Sequence, residues 1–155
     1  MEISPATTDD VDAIVDLWVE LARDQQAVGS HLLAEGNRPA VREAVAQRLV
    51  TDDVFLATVD DAIVGFVMVT IERGRYRQSV TRGLVENIFV EPAYRDAGIG
   101  GALLRRAERA LTDAGADVVS LEVMADNDAA RRFYADHGYA PHRVTLEKPT
   151  ENDTL

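Results

Sequence analysis

The stretch from Val90 to Leu104 constrains this chain more than any other. It reads Val90-Glu91-Pro92-Ala93-Tyr94-Arg95-Asp96-Ala97-Gly98-Ile99-Gly100-Gly101-Ala102-Leu103-Leu104. An extended apolar run ends, a short loop follows, and glycines lead directly into an amphipathic pattern. Glycines let backbone N–H groups turn outward and approach a ligand closely, and the helix N-terminus adds a positive partial charge. The junction therefore folds as strand, loop and helix, and a phosphate or pyrophosphate is its natural occupant. A glycine turn without a ligand is the alternative. Two nucleotide motifs do not fit. A P-loop needs four residues between its glycines followed by Gly-Lys-Ser/Thr, and there is no lysine here. A dinucleotide fingerprint needs glycines directly after the strand, whereas Glu91 to Arg95 intervene and Leu103 stands at the third glycine position.

The elements around this junction follow from periodicity. Ile3 to Ala6 is a short strand candidate. Thr7-Thr8-Asp9-Asp10 has the spacing of a capping box, and Val11, Ile14, Val15, Trp18, Leu21 and Ala22 recur at helical spacing, predicting a helix over residues 9–27. Residues 29–37 read as a loop in which Leu32 to Ala34 stay unassigned. Pro39 suits the first turn of a second helix carrying Val41, Ala44, Val45, Arg48 and Leu49. Residues 54–59, 63–71 and 80–90 are β-branched and apolar, a meander of three strands joined by short turns. After Pro92 come a helix closed near Gly115, a strand at residues 118–123, a helix at 129–137 and a last strand at 139–146, with a polar tail from Pro149. A meander followed by a strand–helix–strand crossover predicts an α/β fold: a mixed sheet with helices on both faces, in one domain over residues 1–155.

Composition narrows the function. Twenty-seven acidic side chains against sixteen basic ones give a net charge of −11, and all the basic residues but Lys148 are arginine. Such a field repels nucleic-acid phosphates and attracts cations, so no nucleic acid is expected as a partner. The absence of cysteine excludes a thiolate nucleophile or a thiolate-bound metal. His137 and His142 have no partner at ligand spacing, and no metal is expected. The N-terminus lacks the regions of a signal peptide and no apolar run nears the ~20 residues of a membrane span, so a cytoplasmic chain with no membrane partner is expected.

Two motifs carry a resemblance. Arg95-Asp96-Ala97-Gly98-Ile99-Gly100 is similar to the R/Q-x-x-G-x-G/A acetyl-CoA signature of the GNAT N-acyltransferase superfamily. Asn127-Asp128-Ala129-Ala130-Arg131-Arg132-Phe133-Tyr134-Ala135-Asp136-His137-Gly138-Tyr139 is similar to that family's N-x-x-A-x-x-F-Y-x-x-x-G-F/Y helix. The resemblance covers the whole chain in element order. It implies an acetyltransferase that moves the acetyl group of acetyl-CoA to an amine by direct attack, and it is compatible with a homodimer. Carried over, backbone amides of Asp96, Ala97, Gly98, Ile99, Gly100 and Gly101 cradle the CoA pyrophosphate, and Arg95 at the head of the signature counts among the cofactor-binding residues. The strand edge at Phe89 and Val90 pairs with the pantetheine arm, Asn127 binds CoA, and Tyr134 gives a proton to the departing thiolate. The departure from the pattern is Asp96-Ala97, where the family usually has glycine or a basic residue.

The residues support part of this independently. Asn127 and Tyr134 are seven apart, two helical turns, hence on one face about 10 Å apart along the axis. A phenol near pKa 10 suits a thiolate whose conjugate acid lies near 8.5; a tyrosine merely packed against the sheet is the alternative. Glu86 is a carboxylate inside the apolar run Gly83 to Val90, a costly placement without a reason. With period two it shares a face with Ile88 and Val90 unless a bulge intervenes. In similar family members a glutamate here deprotonates the amine through water; pairing with an arginine such as Arg82 is the other reading. His31, between the first two helices, falls where the family forms its acceptor site. Arg75, Tyr76 and Arg77 read as a solvated loop, and Arg131 and Arg132 as either a solvated face or a contact to the CoA 3′-phosphate. The acceptor expected is a small primary amine. A protein N-terminus, a lysine side chain, or a silent acyl-CoA sensor are the alternatives.

Overall fold

A computed structural model describes residues 1–150; the end of the polar tail, residues 151–155, lies outside the described residues. Among the described residues there are five strands, β1 (Glu2–Pro5), β2 (Val54–Val59), β3 (Ala62–Ile71), β4 (Arg82–Val90) and β5 (Val118–Leu121). The same residues form four α-helices, α1 (Val11–Gln26), α2 (Arg38–Val50), α3 (Ile99–Asp113) and α4 (Asp128–Asp136). The strands form one sheet in the order β1-β2-β3-β4-β5, antiparallel throughout except for β4 and β5, which are parallel and joined across α3.

The expected capping box forms. The Thr7 hydroxyl accepts from the Asp9 amide, the Asp10 carboxylate accepts from the Thr7 amide at 2.8 Å, and a 3-10 turn at Thr8–Asp10 leads into α1. Pro39 sits in the first turn of α2, where its missing N–H costs nothing. Leu32 to Ala34 are not helical; a 3-10 turn follows them at Glu35–Asn37.

Helices cover both faces. On one, Ile14, Leu17 and Trp18 of α1 and Val41, Val45 and Leu49 of α2 pack on Leu56, Phe66, Met68 and Phe89. On the other, Ile99, Leu103, Leu104, Ala107 and Leu111 of α3 pack on Phe55, Ala57, Val67, Val69, Val85 and Val90. Leu103, Leu104 and Ala107 are fully buried, and burying a leucine side chain stabilises the fold by roughly 1.5–3 kcal/mol.

Three expectations need correction. The strand expected at residues 139–146 does not form. Pro141 lacks an N–H, Val144 and Leu146 are its only alternating apolar residues, and both stay exposed, at 77% and 89%. The connection between β3 and β4 is not a short turn but ten residues, 72–81. And Glu86 does not share a face with Ile88 and Val90. The β3–β4 register runs Met68↔Asn87 and then Val69↔Val85, so Glu86 is the extra residue of a β-bulge. Val85 consequently packs on the α3 side and Phe89, four residues on, packs on the α1/α2 side.

Candidate active site

The glycine loop is held from below and open in front. A 3-10 turn at Pro92–Tyr94 carries the chain out of β4. Arg95 then ties the loop back: its Nε donates to the Val90 carbonyl at 2.8 Å, its Nη2 to Asp24 of α1 at 3.0 Å, and its guanidinium lies 5.3 Å from the centre of the Phe89 ring. Arg95 thus anchors the loop with its side chain. Asp96 has φ +63° and is exposed, a left-handed conformation that aspartate tolerates and glycine prefers, which accounts for glycine being usual there.

Gly98 is the N-cap of α3 at φ +82°, and no side chain caps the helix. The amides of Ile99, Gly100 and Gly101 therefore have no intrahelical acceptor, and a Cβ on Gly98 would meet nothing within 4 Å. Free amides, a helix N-terminus and open space together fit a pyrophosphate. At Gly100 a Cβ would sit 3.4 Å from the Phe133 ring, an ordinary packing distance. The second motif packs directly on the first.

On α4, Asn127 is the N-cap, its Oδ1 accepting from the Ala130 amide at 3.2 Å, and its NH2 group has no hydrogen-bond partner among the described residues. Tyr134 packs edge-on against Phe133 and Tyr139, with ring centroids 5.3 and 6.0 Å away. Its hydroxyl has no hydrogen-bond partner among the described residues. Burial pushes its pKa up to about 12. Tyr139, by contrast, donates to Glu108 of α3 at 2.7 Å.

Between loop and helix runs an open edge. β5 pairs with β4 only from Arg82 to Val85, so residues 86–90 have a free side. Glu91 N–H donates to the Val64 carbonyl, which makes Val90↔Gly65 a non-hydrogen-bonded pair and Phe89↔Phe66 a bonded one. The backbone groups of Phe89 are thus turned to β3. Those facing the free edge belong to Val90, as the sequence indicates, and to Ile88, which it does not; finding Ile88 requires the register.

Glu86 lies on the opposite face from Tyr134. Its carboxylate takes two bonds from Arg48 of α2, Nε to Oε1 at 2.6 Å and Nη2 to Oε2 at 3.1 Å, with the Glu86 side chain 28% exposed. The bond from Glu86 raises the pKa of Arg48. The arginine anticipated as its partner, Arg82, instead stands near Glu72 and His142. His31 is exposed and bonded to Glu147 at 2.8 Å. Arg131 donates to the Ala125 carbonyl. Among the described residues no three His, Asp or Glu side chains cluster as metal ligands, and no helix is long and apolar enough to cross a membrane. A concavity of about 600 Å³ between β1 and α3 is lined by Ile3, Ala102, Arg105, Arg106, Glu108 and Arg109 among others. It contains no residue of the loop, the open edge or α4, so the chemistry is not placed there.

Comparison with known proteins gives the family and the fold. Residues 34–139 match the acetyltransferase (GNAT) family. An uncharacterised N-acetyltransferase of Archaeoglobus fulgidus is 31% identical over 137 residues, 87% of this chain and 90% of its own. An aminoalkylphosphonate N-acetyltransferase of Salmonella typhimurium is 28% identical over 149 residues, 95% of this chain and 90% of its own. The crystal structure of a GCN5-related N-acetyltransferase from Ralstonia eutropha superposes with a TM-score of 0.77 at 22% identity, covering 96% of this chain and 97% of that one, and so shares its fold.

Proposed function

The chain belongs to the acetyltransferase (GNAT) family and is an N-acetyltransferase using acetyl-CoA as donor, and within that family we propose that it acetylates a primary amine on a small molecule. The observation that carries this reading is the free edge of β4 at residues 86–90, with the Tyr134 cluster on one face of the sheet and Glu86 on the other. A thioester laid along that edge has a proton donor on its sulfur side and a carboxylate on its amine side.

In this reading the amides of Asp96 to Gly101 hold the pyrophosphate, and the NH2 group of Asn127 serves CoA from the start of α4. The N–H groups of Ile88 and Val90 face the pantetheine arm and the thioester oxygen. The amine nitrogen attacks the carbonyl carbon, the C–N bond forms, the C–S bond breaks, sulfur leaves with the electron pair as a thiolate, and the second proton shed by the nitrogen passes through water to that thiolate. Tyr134, at about 12, is a weaker acid than a free phenol and faces a thiolate whose conjugate acid lies near 8.5. It therefore keeps its proton in the ground state and acts by hydrogen-bonding the sulfur as charge builds there.

Glu86 has the other role. An alkylamine of pKa near 10.4 is almost wholly protonated at pH 7, and freeing the base costs roughly 4.6 kcal/mol, against about 1 kcal/mol for an α-amine near 7.8. Glu86 takes that proton through water, for each carboxylate oxygen bonded to Arg48 keeps a second lone pair. Arginine cannot accept a proton, so Arg48 fixes the carboxylate and takes no part in the transfer. The charge of −11 also draws a cationic amine toward the protein.

The test is a panel of amines with acetyl-CoA, following thiol release for wild type and Glu86→Gln across pH. Aliphatic amines should turn over faster than α-amino peptides. Glu86→Gln should lower kcat about tenfold or more at neutral pH and recover in part as pH rises and free amine becomes abundant. Superimposable profiles remove Glu86 from the reaction. A preference for α-amino peptides turns the acceptor toward protein N-termini, and no release with any amine turns the chain into an acyl-CoA sensor.

A further inference from the structure

The face of β4 that carries Glu86 also carries Arg82 at its other end. Gly83 points at Leu111 of α3, so Arg82, Leu84 and Glu86 alternate onto the α1/α2 side. Four residues of strand put the Arg82 and Glu86 Cα atoms roughly 13 Å apart. A polar residue thus stands at either end of a short stripe, with Leu84 between them.

Arg82 is not satisfied where it stands. Its side chain is only 15% exposed, and its Nε is the one buried side-chain nitrogen or oxygen among the described residues with no hydrogen-bond partner. Glu72 Oε2 lies 3.7 Å from that nitrogen, too far to accept, and the other Glu72 oxygen is held by Gln78 at 2.6 Å. Nη2 of Arg82 lies 3.3 Å from Nε2 of His142, where a neutral imidazole accepts. Glu72 balances the charge of Arg82, yet a buried N–H donor without an acceptor is costly and needs an explanation. Further positive charge lies in the adjoining segment, on exposed side chains. Arg73, Arg75 and Arg77, in the segment that joins Glu72 to Arg82, form no ion pair among the described residues, although the chain as a whole carries −11.

We propose that Arg82 is an anion-reading subsite for the acceptor: the acetylated amine belongs to a molecule that carries a carboxylate or phosphonate group several atoms from its nitrogen. This rests on the reading of Glu86 as the amine end of the site. The Nε and Nη2 edge of a guanidinium matches the two oxygens of such a group, and an oxyanion that displaces Glu72 and His142 from that edge supplies the acceptor that Nε lacks. The overall acidic field gathers the ammonium end, while the local arginines take the anionic end. Such an acceptor is zwitterionic, and a diamine lacks the group that Arg82 reads.

The experiment compares matched acceptors: 3-aminopropylphosphonate with propylamine, and 4-aminobutyrate with butylamine, with 1,4-diaminobutane as the opposite charge. Wild type should favour the anionic member of at least one pair by tenfold or more in kcat/KM, and the pair with the larger ratio tells phosphonate from carboxylate. In Arg82→Met the KM for that member should rise at least tenfold and the ratio fall toward one, with Arg82→Lys in between. Glu72→Gln removes the competing carboxylate and should tighten the anionic acceptor severalfold, an effect that a purely structural Arg82–Glu72 pair does not produce. Calorimetry with propylphosphonate and butyrate, CoA present, gives a reading that needs no turnover. Binding of either by wild type and not by Arg82→Met upholds the subsite even if no amine is acetylated, in which case the amine-transfer reading alone fails. Should Arg82→Met not fold, Arg82→Lys and Glu72→Gln decide. Equal rates within both pairs, a preference for the diamine, or equal binding of the anions by wild type and variants overturns the proposal.

Discussion

The two motif helices, α3 and α4, differ in how the fold holds them. α3 has six buried residues, Ile99, Gly101, Leu103, Leu104, Ala107 and Leu111, and no side chain caps its start. α4 has no fully buried residue, and its start is capped by Asn127. α3 is anchored by the core and leaves its N-terminal amides free. α4 is capped at its own N-terminus and held by a few contacts: Phe133 against Gly100, the Tyr139 hydroxyl on Glu108, and His137 against Gly101, where a Cβ would lie 3.2 Å from its Nε2. Motifs of similar strength in the sequence therefore have different physical duties. The first builds a rigid cradle from backbone, and the second presents one side chain from the periphery.

That contrast breaks most visibly at the glycines. Gly98→Val places a β-branched residue at φ +82°, and Gly100→Val drives methyl groups into Phe133, so both should abolish donor binding by calorimetry. Wild-type affinity in both would remove the loop from the site. Next in size, Leu104→Ala should cost about 3 kcal/mol of stability by denaturant unfolding, as a fully buried leucine in a packed core. A loss below 1 kcal/mol would mean that α3 is held no more firmly than α4.

Tyr134→Phe sharpens the comparison from the other side. CoA affinity should barely change, while kcat falls roughly 10²-fold where chemistry limits the rate. The same variant tests the burial of the ring. With its pKa raised from 10 to about 12, Tyr134 contributes stability that is fully present below pH 10 and lost as pH rises toward 12, because the unfolded chain releases that proton first. Two units correspond to roughly 2–3 kcal/mol, so the phenylalanine variant should resist alkaline unfolding better than wild type by up to that amount. Identical alkaline midpoints would show that the ring is solvated.

What the sequence made legible was local. The Thr7–Asp10 capping box, Pro39 in a first turn and the glycine junction are each specified by residues within one or two turns of one another. The apolar stripe of α3 is also local. The unforeseen features depend on distant partners. Arg48 meets Glu86 across 38 positions, and no periodicity points from one to the other. The bulge that turns Glu86 to the α2 face appears only in the pairing with β3, and it also sets which amides, Ile88 and Val90, look toward the free edge. The segment at 139–146 has a strand-like pattern, yet a strand needs a neighbour and a cover as well as a pattern, and Val144 and Leu146 have neither.

The central claim, that the donor lies along the free edge of β4, is tested most directly by residue-resolved amide exchange in the presence and absence of acetyl-CoA. The strand register predicts an alternation. The amides of Ile88 and Val90 should gain protection when the donor binds, while those of Asn87 and Phe89, already bonded to β3, should change little. Uniform protection along residues 87–90, or no change at Ile88 and Val90 under saturating donor, would contradict the account.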